Sequence, residues 1–286
     1  INFSFFKNIK VENYLLIFIL LLIVLYFIVY LSINNKYKNY KPIPNKKILK
    51  KLIENENYNS KKYGHISNWN VSKIKDMSEL FANKLNFNED ISRWDVSNVT
   101  NMANMFNGAK SFNQPLNNWD VSNVDNMYSM FNGAESFNQP LNNWDVSNVT
   151  NMVLMFKNAK KFNQPLNNWD VSNVDNMHSM FKETQDFNQP LNNWNISSVE
   201  YMSYMFESSK SFNQNINNWD VSNVSSIAGM FRNAEKFNQP LNKWNISTEK
   251  TEITELFTGA KQFDQDLSSW NLNQEEYDSM FNFYIP

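Results

Sequence analysis

The sequence predicts an α/β repeat solenoid of about nine coils, each a short parallel strand plus a short helix, preceded by one transmembrane helix. Three observations predict it. All nine Trp residues stand on one ladder, Trp69, Trp94, Trp119, Trp144, Trp169, Trp194, Trp219, Trp244 and Trp270, spaced by 25 residues except for a final 26. Two Phe ladders run beside it, one from Phe81 to Phe281 and one from Phe87 to Phe263, and all thirteen Met residues lie inside the repeats. The stretch 14–33, YLLIFILLLIVLYFIVYLSI, has Ser32 as its single distinctly polar residue. A fixed period of this length marks units that cannot bury an apolar face alone and stack to do so.

The elements of one coil can be read from Phe112–Ser136, FNQPLNNWDVSNVDNMYSMFNGAES. Trp119 and Val121 are two apart, the spacing that sends side chains to one face of a strand, with Asp120 on the other. Met127, Met130, Phe131 and Ala134 fall at i, i+3, i+4 and i+7, the apolar face of a helix of about two turns. Thr100, Asp125, Thr150 and Asp175 stand where a side-chain oxygen caps a helix start. Gly108, Gly133, Asn158, Asn233 and Gly259 stand where a left-handed residue ends one. Glu183 and Ser208 occupy that place in two coils, which are expected to end differently. Pro115, Pro140, Pro165, Pro190 and Pro240 set the turn before the strand. Strands stacked at ~4.8 Å make nine coils a rod about 40 Å long.

Before the repeats, residues 1–13 form a flank and 14–33 the membrane span, twenty residues that reach about 30 Å as a helix. A cleaved signal peptide is the competing reading, with a shorter apolar stretch of about 7–15 residues ending in small ones. No Ala precedes Ala82, so an uncleaved helix is expected. Lys7 and Lys10 lie on one side and Lys36, Lys38, Lys41, Lys46, Lys47, Lys50 and Lys51 on the other, which by the positive-inside rule places the repeats in the cytoplasm. The basic run reads either as a contact for anionic lipid or as a solvated flank. A basic linker with Pro42 and Pro44 covers 34–44, and a helical cap covers 45–65, with Asn45 at its start and Ile48, Leu49, Leu52 and Ile53 on one stripe. Residues 66–286 are the repeats, with an irregular last coil.

The chain has no Cys, so disulfides, Cys-based zinc sites and thiol nucleophiles are excluded. Residues 1–65 hold eleven Lys against three Glu, whereas the remainder holds fifteen Lys and Arg against twenty-five Asp and Glu. An acidic repeat region repels a phosphate backbone, so no nucleic-acid partner is expected.

The unit FNQPLNNWDVSNVTNM with its following Met-Phe pair, in the stretch 63–281, resembles the BspA-like leucine-rich repeat surface proteins, in the branch with Trp-Asp-Val-Ser and Met-Phe repeats known from mycoplasma. The resemblance implies a leucine-rich-repeat-like solenoid shown at a cell or particle surface, in adhesion or interaction. The chain departs from it in lacking a lipidation Cys. The surface placement that the resemblance implies and the cytoplasmic side that the Lys flanks favour stand against each other.

No catalytic constellation is visible, because His65 and His178 are the two His residues and neither has triad or metal spacing around it. No enzyme and no cofactor is therefore expected. Asp95, Asp120, Asp145, Asp170 and Asp220 stack into a carboxylate ladder, either a weak candidate for Ca²⁺ or a basic partner, or a set of local hydrogen-bond acceptors for turn or indole groups. Asn70, Asn195, Asn245 and Asn271 hold the same place in other coils, which favours the local role. A further ladder, from Asn113 to Asn238, reads as side chains that satisfy turn backbone. Where the copies disagree, Tyr128, Val153, Leu154, His178 and Tyr204 line one partly apolar strip, either a partner-binding strip or drift on a tolerant face. The expected function is a membrane-anchored repeat protein that contacts the bilayer through 14–33 and binds a protein or glycan. The alternative is a structural, membrane-linked component of an envelope or particle that self-associates through its repeats.

Overall fold

The computed structural model describes residues 16–28, 41–54 and 60–281. The stretch 16–28 is helical, and its large apolar side chains from Leu16 to Ile28 are exposed. Among the described residues no helix is long and apolar enough to cross a membrane, which overturns the expected single-pass span over 14–33. Residues 14, 15 and 29–33 of that span lie outside the described residues, as do the flank 1–13, most of the linker and 55–59 of the cap.

The repeats do not form the α/β coils that the periodicity predicts. Among the described residues the repeats contain no named strand, only isolated parallel bridges that join one residue per coil: Asp76 to Asn101, Asn126, Asn151, Asn176, Tyr201, Ser226 and Glu252 in succession. Trp119 and Val121 are both buried, as expected of one face, but their backbone turns tightly, with Trp119 N–H donating to the Leu116 carbonyl and Val124 N–H to that of Val121.

The M-x-x-M-F segments are also not helices, although every apolar residue of their predicted face is buried. The backbone bonds of 127–134 give the reason. The N–H groups of Met127, Ser129, Phe131 and Gly133 donate to the next coil, at the carbonyls of Asn151, Val153, Met155 and Lys157. The N–H groups of Met130, Asn132 and Ala134 turn back to the carbonyls of Met127, Ser129 and Phe131, and that of Tyr128 to Asn126 Oδ1. Every donor is satisfied, half within the coil and half between coils.

This alternation needs two left-handed residues per segment, at Ser129 (φ 53°) and Gly133 (φ 69°), and the first of them rules out a helix. Gly133 and its counterparts take the left-handed conformation expected of them. Glu183 (φ 61°) and Ser208 (φ 57°) take it too, against the expectation that their coils end differently. Their N–H groups still reach the carbonyls of Glu207 and Arg232 at 2.7 Å, so the inter-coil bonds override a local cost of about 1–2 kcal/mol. Asp125 is likewise no helix cap, since its N–H donates to the Thr100 carbonyl of the preceding coil.

The core is a set of ring columns. Phe131 stacks on Phe137 within its coil at 4.1 Å and on Phe156 of the next at 5.6 Å, and Trp144 lies parallel to Trp169 at 6.4 Å. Each buried indole carries a donor that must be matched, and Trp144 Nε1 donates to the Leu116 carbonyl at 2.9 Å, a pattern kept from Trp94 to Trp270. In two coils Thr184 and Ser209 replace the usual buried Ala, and their hydroxyls donate to the carbonyls of Phe156 and Phe181.

Both ends are shut. The helix Lys46–Glu54 starts at Asn45, whose Oδ1 accepts from Ile48 N–H, and it buries Leu49 and Leu52 against the first coil. Its Lys46 pairs with Asp76 at 2.9 Å. At the other end the helix Gln274–Phe281 opens with a reciprocal cap, Asn273 Oδ1 accepting from Glu276 N–H and Glu276 Oε2 from Asn273 N–H. Its last-turn carbonyls, at Ser279 and Met280, accept from the N–H groups of Glu255 and Phe257 in the last turn-built segment.

Candidate functional site

Most of the regular polar columns are spent on the scaffold. Asp120 Oδ1 accepts from Ser122 N–H at 3.1 Å and from its hydroxyl at 2.6 Å, and Asp95, Asp145 and Asp170 repeat both bonds with Ser97, Ser147 and Ser172. Asp220 takes the N–H of Ser222, and Asn195 makes the same pair of bonds to Ser197. Carboxylate and amide thus do one local job at this position, for turn donors; the indoles go elsewhere. Hydrogen bonds from Ser172 and Ser222 hold the carboxyls of Asp170 and Asp220 below the usual range. Among the described residues no group of three or more His, Cys, Asp or Glu is arranged to hold a metal ion. The Asn113 ladder works between coils: Asn113 Oδ1 accepts the N–H of Asn138 and the Nε2 of Gln139.

The variable strip is continuous. Ser129 N–H reaches the Val153 carbonyl and Leu154 N–H that of His178, so the coils bearing Tyr128, Val153, Leu154 and His178 are bonded in series at the strip. All five strip residues are half-buried. His178 meets Tyr204 edge to face at 5.8 Å, across two coils. Burial, then Lys182 and Lys157, push the His178 pKa below its ordinary value, against a smaller opposing pull from Glu207.

Tyr204 is the strip's fixed end. Lys182 Nζ lies 5.5 Å and the Arg232 guanidinium 5.3 Å from its ring centre. The ring also covers Gly229, where a Cβ would come within 2.4 Å of it. Beneath lies Glu207, whose Oε1 accepts from Arg232 Nε at 3.0 Å while Lys182 contacts Oε2; Arg232 also donates to Glu255. A second column carries charge in two stretches parted by Gln185: Glu135 bridges Lys110 and Lys160, and Glu235 bridges Lys210 and Lys261. Exposed pairs of this kind contribute about 0–1 kcal/mol each, so the column serves the surface more than the stability.

Sequence reasoning passed over this column, the Glu207 cluster and Tyr201, which is 45% exposed at a place held by Asn in four preceding coils. All three are readable at the 25-residue period, by comparing positions 132, 135 and 126 across copies as the strip was compared.

A family model described as "Mycoplasma protein of unknown function, DUF285" matches residues 49–168, 136–225 and 190–284 in three overlapping segments. No curated protein and no solved structure matches the chain.

Proposed function

We propose, from the premise that this chain belongs to the mycoplasma DUF285 family of unknown function, that it is a non-catalytic repeat scaffold whose variable strip binds a protein or glycan partner. One observation carries the reading. Columns that repeat faithfully are consumed in holding the coils together, whereas Tyr128, Val153, Leu154, His178 and Tyr204 form a continuous, half-buried and partly apolar track whose backbone joins the coils but whose side chains take no part in that bonding. Tracks with aromatic members in a polar surround are the usual substrate of interface hot spots. A finer kinship to the BspA-like surface proteins, and with it a role in adhesion, is part of this reading.

The rival is a structural component that packs through its repeats. Both ends of the stack are covered, by Lys46–Glu54 and Gln274–Phe281, which counts against end-to-end packing and leaves side-by-side contact as the form to test. Binding of the full chain to a panel of immobilised extracellular proteins and glycans, compared with a Tyr128→Ala, Leu154→Ser, Tyr204→Ala variant, separates the two. The scaffold reading expects the parent to bind and the variant to lose most of that binding; equal binding by the two overturns it. A parent that forms oligomers with rising concentration and binds nothing on the panel supports the rival.

A further inference from the structure

The first end of the stack carries a charge that the strip does not use. In the helix Lys46–Glu54, Leu49 and Leu52 are buried against the first coil, so the apolar stripe is spent inside the protein. The opposite face of the helix holds Lys47, Lys50, Lys51 and Glu54, at i, i+3, i+4 and i+7, and all four are exposed.

Two contacts set the first coil beside the start of this helix. Ile43 N–H donates to the Asn70 carbonyl at 2.9 Å, and Lys46 pairs with Asp76 at 2.9 Å. Between those anchors Lys73 and Lys75 are exposed, as is Lys41, two residues before Ile43. Among the described residues no carboxylate pairs with Lys41, Lys47, Lys50, Lys51, Lys73 or Lys75. Over 41–54 and 70–80 the exposed carboxylates are Glu54 and Glu79, and the half-buried Asp76 is taken by Lys46, so a clear positive excess remains. The chain also presents an exposed apolar helix, from Leu16 to Ile28, and the stretch 29–40 that joins it to Lys41 reaches at most about 45 Å.

We propose that the Lys face of this cap helix, with Lys73 and Lys75 beside it, docks on an anionic phospholipid surface at headgroup level, with the exposed apolar side chains of 16–28 as a second point of contact. The contact needs no helix that crosses the bilayer. Because Leu49 and Leu52 are already buried, the docking face has nothing apolar to insert and acts through charge alone. Each basic residue beside an anionic leaflet strengthens attachment about fivefold, and a single weak signal holds a protein only when a second one joins it. A linear polyanion fits this end less well. A strand that runs past the first coil meets the exposed carboxylates of Asp95, Asp120 and their successors, whereas a flat surface is touched by the end of the stack alone. The proposal is independent of the strip reading, since the five strip residues lie in later coils.

The test is co-sedimentation of the full chain with vesicles of phosphatidylcholine and with vesicles of phosphatidylcholine mixed with phosphatidylglycerol. The chain is expected to partition more strongly into the mixed vesicles, and the difference to vanish at high salt. The variant Lys47→Gln, Lys50→Gln, Lys51→Gln should bind the mixed vesicles roughly a hundredfold more weakly and the neutral ones unchanged, with the thermal midpoint of the parent. Arg at the same three places should restore binding. A control, Lys110→Gln, Lys210→Gln, Lys261→Gln, removes as much charge from the repeats and should bind like the parent. Equal partition of the parent into both vesicles overturns the proposal, as does a Gln variant that binds mixed vesicles like the parent or a control that loses as much as the variant does. A duplex oligonucleotide that binds the parent as tightly as the mixed vesicles do, and displaces it from them, overturns the choice of lipid.

Discussion

Two segments of this chain carry the same apolar spacing and fold differently. Met127, Met130 and Phe131 stand at i, i+3 and i+4, and so do Tyr277, Met280 and Phe281. The first segment alternates between its own coil and the next, with Ser129 left-handed, while the second lies in the α-helix Gln274–Phe281. The two differ in whether another coil stacks beyond them. A coil with a successor finds carbonyls at the spacing of its own N–H groups; among the described residues the segment 277–281 has none, and its donors turn inward, as Tyr277 N–H does to the Asn273 carbonyl. The local pattern is a valid helix signal that holds only where no neighbour competes for the backbone.

The comparison can be broken at its core first. Trp169→Ala removes a ring stacked between coils and should cost about 3–5 kcal/mol in denaturant unfolding, whereas Trp69→Ala, at the half-buried first position, should cost less than half of that. Equal costs would mean that ring columns do not gain from having neighbours on both sides. Met280→Ala comes next, at about 2–4 kcal/mol, because Met280 is fully buried under the last turn-built coil. Loosening that helix frees the donors of Glu255 and Phe257, and sedimentation should then show association that grows with concentration. A destabilised variant that stays monomeric would deny the helix its capping role.

A matched pair of serines gives the sharpest sign test. Ser179 is left-handed at φ 55° and Ser279 is helical, so Ser179→Gly should stabilise by about 1 kcal/mol and Ser279→Gly should destabilise by about the same. Gly229 already occupies the Ser179 position in another coil. Thermal melts showing the same sign for both would contradict the two conformations. The smallest effect is that of pH. The His178 pKa lies below its ordinary 6.5 in the folded chain, so as pH falls through that value the unfolded chain gains a proton that the folded chain does not. Its contribution is present above pH 6.5 and declines below it, and His178→Gln should flatten the stability profile below pH 6.5. Carboxylates such as Asp170, lowered from 3.8, give up their share at lower pH.

Much of the candidate site was legible because the chain carries its own comparison. Variation at Tyr128, Val153, Leu154, His178 and Tyr204 marks the outward track, and the same reading applied to Asn126 and its counterparts would have exposed Tyr201. The pairing of Glu207 with Arg232 and Lys182 was less accessible, since it depends on which coils adjoin and on Gly229 leaving room for Tyr204. The fold divided in a similar way. The N-terminal helix start at Asn45 and the reciprocal cap of Asn273 and Glu276 use residue pairs three apart, a range that sequence states directly.

By itself the sequence determined the period, the identity of the core columns, and the places where a left-handed residue is comfortable, such as Gly133. Side-chain burial obeys spacing along the chain, and spacing is written there. Tertiary structure alone decided whether the backbone between those side chains would be strand, helix or turn. The peptide groups of Met127, Ser129, Phe131 and Gly133 bond to residues 24 positions away, and a donor pledged to the next coil is lost to its own helix. The same physics placed Glu183 and Ser208 in a conformation that their side chains disfavour, because there each N–H meets the carbonyl of the next coil.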